Sequence, residues 1–230
     1  MNGSVILITG AFGALGSAVA RHLDQAGARL VAIDAAPALP DALAELYQDH
    51  RVLAGVDLTS VEHTRAAIAK AAERLSPIDG VVNIAGGFAW ETIAEGSIDT
   101  WDAMYAANVK TVVNVCQAVL PHVREEGGRI VNVGANAAQR GGLGMGAYAA
   151  SKAGVLRFTE ALSEEVKDRG ITVNAVLPGI IDTPANRGAM PDADRSRWVT
   201  PQAIAAVIAF LLSDASQPIT GAGIPVAGRL

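Results

Sequence analysis

The sequence predicts a single α/β domain in which helices cover both faces of a doubly wound parallel sheet of about seven strands. Three observations support this fold class. Short β-branched apolar runs alternate with longer stretches that carry apolar residues at helical spacing. A glycine-rich junction joins the first apolar run to the first helical stretch. The length suits one domain with a large core, which we expect to span residues 1–230.

Composition limits the possible partners. The net charge of −5 argues against nucleic acids and anionic membranes. No apolar run reaches the roughly 18 residues that a membrane-spanning helix needs, and no signal-peptide pattern precedes the first strand. The one cysteine, Cys116, lies in an apolar helical stretch, which indicates a buried thiol in a reducing compartment. We therefore expect a cytoplasmic protein that acts on a small molecule, and no metal site, since the four histidines lack ligand spacing.

The first strand is expected over residues 4–9, and a glycine-rich segment over residues 10–16 leads directly into a helix. Glycines allow the backbone to turn tightly and to approach a pyrophosphate, and the helix offers free N–H groups to the phosphates. The alternative is a plain strand-to-helix turn. The dinucleotide interpretation assigns cofactor contacts to Gly10, Phe12, Gly13, Leu15 and Gly16.

The second strand, residues 29–33, ends at Asp34. A carboxylate at this point can accept hydrogen bonds from both hydroxyls of the adenosine ribose and would repel a 2′-phosphate. No Arg or Lys lies in the glycine segment or just after Asp34, so the sequence favours NAD(H) over NADP(H). The alternative is a solvated carboxylate. A third strand over residues 51–56 leads to Asp57 and Leu58, which would contact the adenine edge.

Further elements continue the alternation. Helices are expected over residues 60–75, 100–121, 147–169 and 201–212, with strands over residues 79–84, 129–133 and 224–227. Residues 182–198 are rich in Pro, Gly, Asp and Arg and lack a clear period, so we expect a mobile lid there instead of a packed element.

Tyr148 and Lys152 lie four residues apart in a helical pattern and therefore share one face. An ammonium fixed beside a phenol lowers the pKa of the phenol from its ordinary value of about 10. Tyr148 would then act as a general acid or base. The alternative is a surface tyrosine and a solvated lysine that happen to lie one turn apart.

Together these segments resemble the short-chain dehydrogenase/reductase family over nearly the whole chain. The resemblance implies a Rossmann-like fold, hydride transfer with a nicotinamide cofactor, and a homodimer or homotetramer. It makes Tyr148 the proton donor and Lys152 the group that binds the nicotinamide ribose and tunes the tyrosine, while Asn108 would hold a water in the proton path. The matching pieces, where further cofactor contacts are expected, include Asn83, Ala85, Gly86, Pro178, Gly179, Ile181 and Thr183.

One position departs from the family pattern. The family usually has a serine 13 positions before the tyrosine, and here 148 − 13 = 135 is Ala135. Loss of one preorganised donor to a developing oxyanion typically costs roughly 3–4 kcal/mol. An ordinary alcohol dehydrogenase would be impaired by this loss, whereas a strongly electrophilic substrate would not need the donor.

The quinonoid dihydropteridine reductases are a branch of the family that shows this same change. Residues 134–138, residues 85–89 and the lid with Trp198 also resemble that branch. The resemblance implies NADH-dependent reduction of a quinonoid dihydropterin or a similar conjugated C=N substrate. Phe88 and Trp90 would form a flat wall for the ring, with core packing as their alternative. Substrate contacts are expected at Gly87, Phe88, Trp90, Ala135, Asn136 and Asn186.

Two other functions remain open at this point. The first is a carbonyl reductase or alcohol dehydrogenase in which Asn136 or a water replaces the serine. The second is a non-catalytic NAD-binding regulator, against which the presence of Tyr148, Lys152 and Asn108 argues.

Overall fold

Seven parallel strands form one sheet in the order β3-β2-β1-β4-β5-β6-β7. The computed structural model describes residues 1–229. Every neighbouring pair of strands is parallel, as the predicted fold class requires. The strands are β1 Val5–Thr9, β2 Arg29–Ile33, β3 Arg51–Leu53, β4 Gly80–Asn83, β5 Arg129–Val133, β6 Thr172–Pro178 and β7 Gly223–Val226.

Helices follow most of the strands, in the alternation that produces parallel pairing. The α-helices are α1 Ala14–Gln25, α2 Ala44–Tyr47, α3 Val61–Ala72, α4 Ile98–Met104, α5 Thr111–Val119, α6 Gly146–Val166, α7 Pro184–Ala189 and α8 Pro201–Leu211. A π-helical turn, Tyr105–Lys110, joins α4 to α5.

The core consists of two apolar layers, one on each face of the sheet, because successive side chains of a strand point to opposite faces. On β1, Leu7 packs with residues of α3, α5 and α6, including Ile68 of α3. Its neighbours Ile6 and Ile8 pack on the other face with α1 and α8. This two-sided burial explains why the strands read as continuous apolar runs.

Three elements differ from the sequence predictions. The third strand ends at Leu53 because Gly55 adopts φ +70, outside the β region. The helix predicted over residues 100–121 is interrupted by the π-helical turn, in which the Asn108 side chain turns inward to the Gly87 backbone. The lid region, expected to lack packed elements, contains α7 and the buried side chain of Trp198.

The described part of the chain lacks two features. No helix within residues 1–229 is long and apolar enough to span a membrane. The same residues contain no group of three or more His, Cys, Asp or Glu side chains that could hold a metal ion.

Candidate active site

The carboxyl ends of the parallel strands meet at one edge of the sheet, where ligands of doubly wound folds bind. The segments after β1, β2, β4, β5 and β6 leave the sheet at this edge. Most of the residues predicted to bind the cofactor lie in those segments: Gly10, Phe12, Gly13, Asp34, Ala85, Gly86, Gly179, Ile181 and Thr183.

The glycine segment after β1 is packed too closely for side chains at two positions. Gly10 adopts φ +63, and a Cβ on it would lie 2.9 Å from the Ala85 nitrogen. A Cβ on Gly16 would collide with the carbonyl oxygen of Gly10. α1 begins after Gly13 without a side-chain cap from any residue the structure describes. Its first N–H groups are therefore available to a pyrophosphate, which fits a dinucleotide.

Asp34 is held at the end of β2 beside the glycine segment. Its Oδ2 accepts a hydrogen bond from the Phe12 nitrogen at 2.9 Å, and its Oδ1 accepts one from the Ala36 nitrogen at 3.0 Å. A carboxylate oxygen can accept more than one hydrogen bond, so both oxygens keep capacity for ribose hydroxyls.

Tyr47 contacts the glycine segment, a role that the sequence did not indicate. Its hydroxyl donates to the Ala11 carbonyl at 2.8 Å, and its ring lies 6.0 Å from that of Phe12. Burial, followed by the charge of Asp34, raises the pKa of Tyr47 well above its ordinary value. The hydroxyl therefore stays a neutral donor. A lone tyrosine in a four-residue helix, α2, offers no sequence signal for this role.

Some predicted cofactor residues turn their side chains into the protein. Leu15 and Leu58 lie in the apolar core, and Pro178 is buried at the end of β6. Asn83 is buried and donates from Nδ2 to Asn132 Oδ1 at 2.9 Å. Only the backbone of these residues remains available to a ligand in the cleft.

Asp57 stays exposed and accepts hydrogen bonds from Thr59 Oγ1 at 2.7 Å and the Thr59 nitrogen at 2.9 Å. These two hydrogen bonds lower the pKa of Asp57 below its ordinary value. The residue is therefore an anion that also shapes the turn before α3.

Tyr148 and Lys152 lie on the same face of α6, as their spacing predicts. Lys152 Nζ donates to the Val133 carbonyl at 2.9 Å and lies 6.0 Å from the centroid of the Tyr148 ring. Burial lowers the pKa of Lys152 to about 8 and raises the pKa of Tyr148 to about 12. The expected acidification of the phenol is therefore wrong, because burial disfavours the charged forms of both groups. The protonated phenol is nevertheless the form that a proton donor requires.

Asn108 connects the loop after β4 to α6. Its Oδ1 accepts from the Gly87 nitrogen at 3.0 Å, and its Nδ2 donates to the Gly87 carbonyl at 3.1 Å and to Ser151 Oγ at 3.0 Å. Ser151, which the sequence interpretation missed, donates in turn to the Tyr148 carbonyl at 2.7 Å. These contacts already occupy the side chain of Asn108. A Cβ on Gly86 would collide with Asn108 Oδ1, so the loop requires glycine there.

Phe88 and Trp90 project from this loop into solvent, with 60 % and 59 % of their surface exposed. Neither packs in the core, which was their alternative interpretation. The rings of Phe88 and Tyr148 meet edge to face, with centroids 4.9 Å apart. Trp90 lies against Gly144 in the loop before α6. Phe88 is therefore an exposed apolar ring beside the phenol, and Trp90 is an exposed ring beside the loop before α6.

Ala135 follows β5 in an extended conformation and is only 6 % exposed. Its methyl group stands where the family pattern has a hydroxyl. The neighbouring Asn136 is exposed, and its amide makes no hydrogen bond with another group of residues 1–229. Asn136 is therefore the nearest free polar side chain in the sequence.

The lid is anchored at its base. The Asp182 nitrogen donates to the Val199 carbonyl at 2.8 Å, and the Val199 nitrogen donates to the Ile180 carbonyl at 3.0 Å. Thr183 Oγ1 accepts from the Asn186 nitrogen at 3.2 Å and so caps α7. The Thr183 hydroxyl keeps its own proton to donate. The Asn186 amide is held by the Ile181 carbonyl at 2.8 Å.

Comparisons with known proteins agree with this geometry. The short chain dehydrogenase family matches residues 4–194. A 3-oxoacyl-[acyl-carrier-protein] reductase of Thermotoga maritima is 34 % identical over 245 residues, covering 100 % of this chain and 98 % of the relative. An acetoacetyl-CoA reductase of Allochromatium vinosum is 33 % identical, covering 98 % of both chains.

A solved structure shows the same fold. The blue fluorescent protein from a metagenomic library, in complex with NADPH, has a TM-score of 0.89 at 31 % identity and covers 99 % of this chain and 97 % of its own. The two curated relatives are named as reductases of other substrates, not as dihydropteridine reductases. The chain belongs to the short-chain dehydrogenase/reductase family and is a nicotinamide-dependent oxidoreductase with a Rossmann-like fold.

Proposed function

We propose that the protein is an NADH-dependent reductase of flat, electron-poor molecules with a conjugated C=N or quinonoid ring, of the quinonoid dihydropterin type. The observation that carries this proposal is the buried methyl group of Ala135 at the position of the family's substrate-binding hydroxyl. A carbonyl needs a donor for its developing oxyanion. A quinonoid ring already accepts a hydride readily, so it needs mainly alignment and one proton.

The chain's own groups would supply the proton and the alignment. When NADH is bound, it supplies the hydride. Tyr148, whose burial keeps it protonated, would donate its hydroxyl proton to the ring nitrogen. Lys152 would hold a positive charge beside the phenol as the proton leaves. The exposed rings of Phe88 and Trp90 would contact the flat substrate, since aromatic rings pack well on other aromatic faces.

NADH is proposed over NADPH because of Asp34. The backbone N–H groups of Phe12 and Ala36 fix its carboxylate at the end of β2. A 2′-phosphate would place further negative charge against a carboxylate that cannot easily move away.

Ketone reduction is the second candidate. The named relatives reduce acetoacetyl-CoA and 3-oxoacyl-[acyl-carrier-protein], which favours a carbonyl substrate. In that case Asn136, whose amide is free and exposed, or a water would have to replace the missing hydroxyl. A third candidate is a regulator that binds the cofactor without turnover.

A substrate panel separates these candidates. We expect oxidation of NADH with a quinonoid dihydropterin, a lower kcat/KM with NADPH, and little turnover of simple ketones or 3-oxoacyl thioesters. Efficient reduction of the thioesters and none of the dihydropterin would refute the proposal. Tight NADH binding without turnover of any substrate would favour the regulator.

We also propose a homodimer or homotetramer. Trp101 on α4 is 39 % exposed, and Tyr105 in the π-helical turn is 58 % exposed. Burying both against a second copy would remove large apolar surfaces from water. Light scattering at micromolar concentration should give at least twice the chain mass of 23.6 kDa, and a monomer would contradict this.

A further inference from the structure

Residues 56–59, which we call the adenine segment, follow β3 and precede α3. They include Asp57 and Leu58, the residues expected to contact the adenine edge of the cofactor. The Val56 nitrogen donates to the carbonyl of Asp34 at 3.0 Å, which ties the segment to the residue assigned to the adenosine ribose. The position of this segment therefore bears on how well the adenosine half of a dinucleotide fits.

A buried amide on a distant helix holds the adenine segment in place. Asn114 of α5 is only 6 % exposed, and its Nδ2 donates to the Leu58 carbonyl at 2.9 Å and to the Thr59 carbonyl at 3.3 Å. Burial of an amide among the valines of α5 is costly unless the amide is hydrogen-bonded. The two carbonyls of the segment satisfy this amide, so the side chain and the segment fix each other.

Thr64 of α3 is a second side chain near the Leu58 carbonyl. Its Oγ1 lies 3.3 Å from that carbonyl oxygen, but it lies closer, at 2.7 Å, to the carbonyl oxygen of Ser60. A hydroxyl has one proton to donate, and the shorter contact is the better hydrogen bond. Asn114 is therefore the main side-chain donor to Leu58, and its removal would leave the carbonyl of a buried residue poorly satisfied.

A different amide holds the side of the cleft beside Tyr148. Asn108, in the π-helical turn before α5, binds both the nitrogen and the carbonyl oxygen of Gly87. Neither of these hydrogen bonds involves Asn114. Loss of the Asn114 amide should therefore loosen the adenine segment and leave the groups around Tyr148 in place.

We propose that Asn114 is a positioning residue for the adenosine half of NADH, because it fixes the adenine segment before the cofactor binds. The proposal rests on the assignment of Asp57 and Leu58 to the adenine edge, and it holds whichever substrate the cleft reduces. Without the amide, the segment would become ordered only when the cofactor binds, and the entropy lost in that ordering would weaken binding.

Calorimetric titration with ADP-ribose tests the proposal, since this ligand contains the adenosine and the pyrophosphate but no nicotinamide. Asn114→Leu keeps a side chain of similar size and removes the donor. Its affinities for ADP-ribose and for NADH should fall by the same factor, about fivefold to tenfold. With any substrate that the wild type reduces, the loss should appear in the KM for NADH and not in kcat. Asn114→Ala, which cannot overfill the site, should give the same result.

Gln117→Leu is the matched control, because it makes the same change of an amide to an aliphatic side chain at an exposed position of α5. It should bind ADP-ribose as the wild type does, and circular dichroism and the Tm establish that each variant is folded. Unchanged ADP-ribose affinity in both Asn114 variants, an equal loss in Gln117→Leu, or a fall in kcat in place of the loss of affinity would each overturn the proposal. Binding of ADP-ribose requires no substrate, so these results stay distinct from those of the substrate panel.

Discussion

Replacing Ala135 by serine would return a hydroxyl to the position where the family pattern places the donor to the substrate carbonyl. The backbone there, with φ −160 and ψ 157, is extended and accepts serine without strain. The side chain is 6 % exposed, so the new hydroxyl is buried and costs about 1–2 kcal/mol of stability if it finds no partner. A preorganised donor to an oxyanion is worth about a hundredfold or more in kcat.

The assay compares kcat/KM of the wild type and Ala135→Ser with a quinonoid dihydropterin and with a simple ketone. Only interactions that strengthen in the transition state accelerate a reaction, so the dihydropterin rate should change by less than about threefold. The ketone rate should rise by about tenfold to a hundredfold. Ala137→Ser, two residues along the same loop, is the control and should change neither rate.

A steep rise with the dihydropterin would refute the reasoning, because that substrate would then need the donor after all. A wild type that already reduces the ketone efficiently, with no gain from serine, would show that Asn136 or a water serves in its place. Circular dichroism and the Tm of both variants establish that each comparison is made on folded protein.

Three further predictions concern groups around the cleft. Burial lowers the pKa of Lys152 to about 8, so its ammonium is present below that pH. The rate of reduction should therefore fall as the pH rises through 8. Lys152→Arg should remove this fall. Gly86→Ala should lower the free energy of unfolding by about 1–3 kcal/mol, measured with denaturant, because the new methyl group collides with Asn108. Gly188→Ala is the control and should leave the stability unchanged, since its methyl group meets no described atom within 4 Å. Asp34→Ala should raise the ratio of NADPH to NADH kcat/KM by about tenfold or more, and an unchanged ratio would contradict the assigned role.

Local patterns were sufficient for several of the regular elements. β2 spans Arg29–Ile33 as predicted, because a short β-branched run buried on both faces is distinctive. α8 begins at Pro201, after the capping side chain of Thr200. The tight turn between β1 and α1 was also predictable from the sequence, because a strand that continues directly into a helix through glycines has few other backbone conformations.

Contacts between distant residues were not predictable in this way. Asn108 binds Gly87, which is 21 residues away, and the π-helical turn accompanies that contact. Tyr47 reaches the Ala11 carbonyl across 36 residues. Periodicity describes which face of an element is apolar, but it contains no information about which polar group meets which.

The sequence by itself determined the fold class and the shared face of Tyr148 and Lys152. These follow from residue spacing and from the apolar pattern. Tertiary structure alone decided the direction in which the two pKa values shift, because the burial that raises the pKa of Tyr148 and lowers that of Lys152 depends on the elements packed around them. It also decided that Phe88 and Trp90 face solvent, since exposure is a property of the assembled surface.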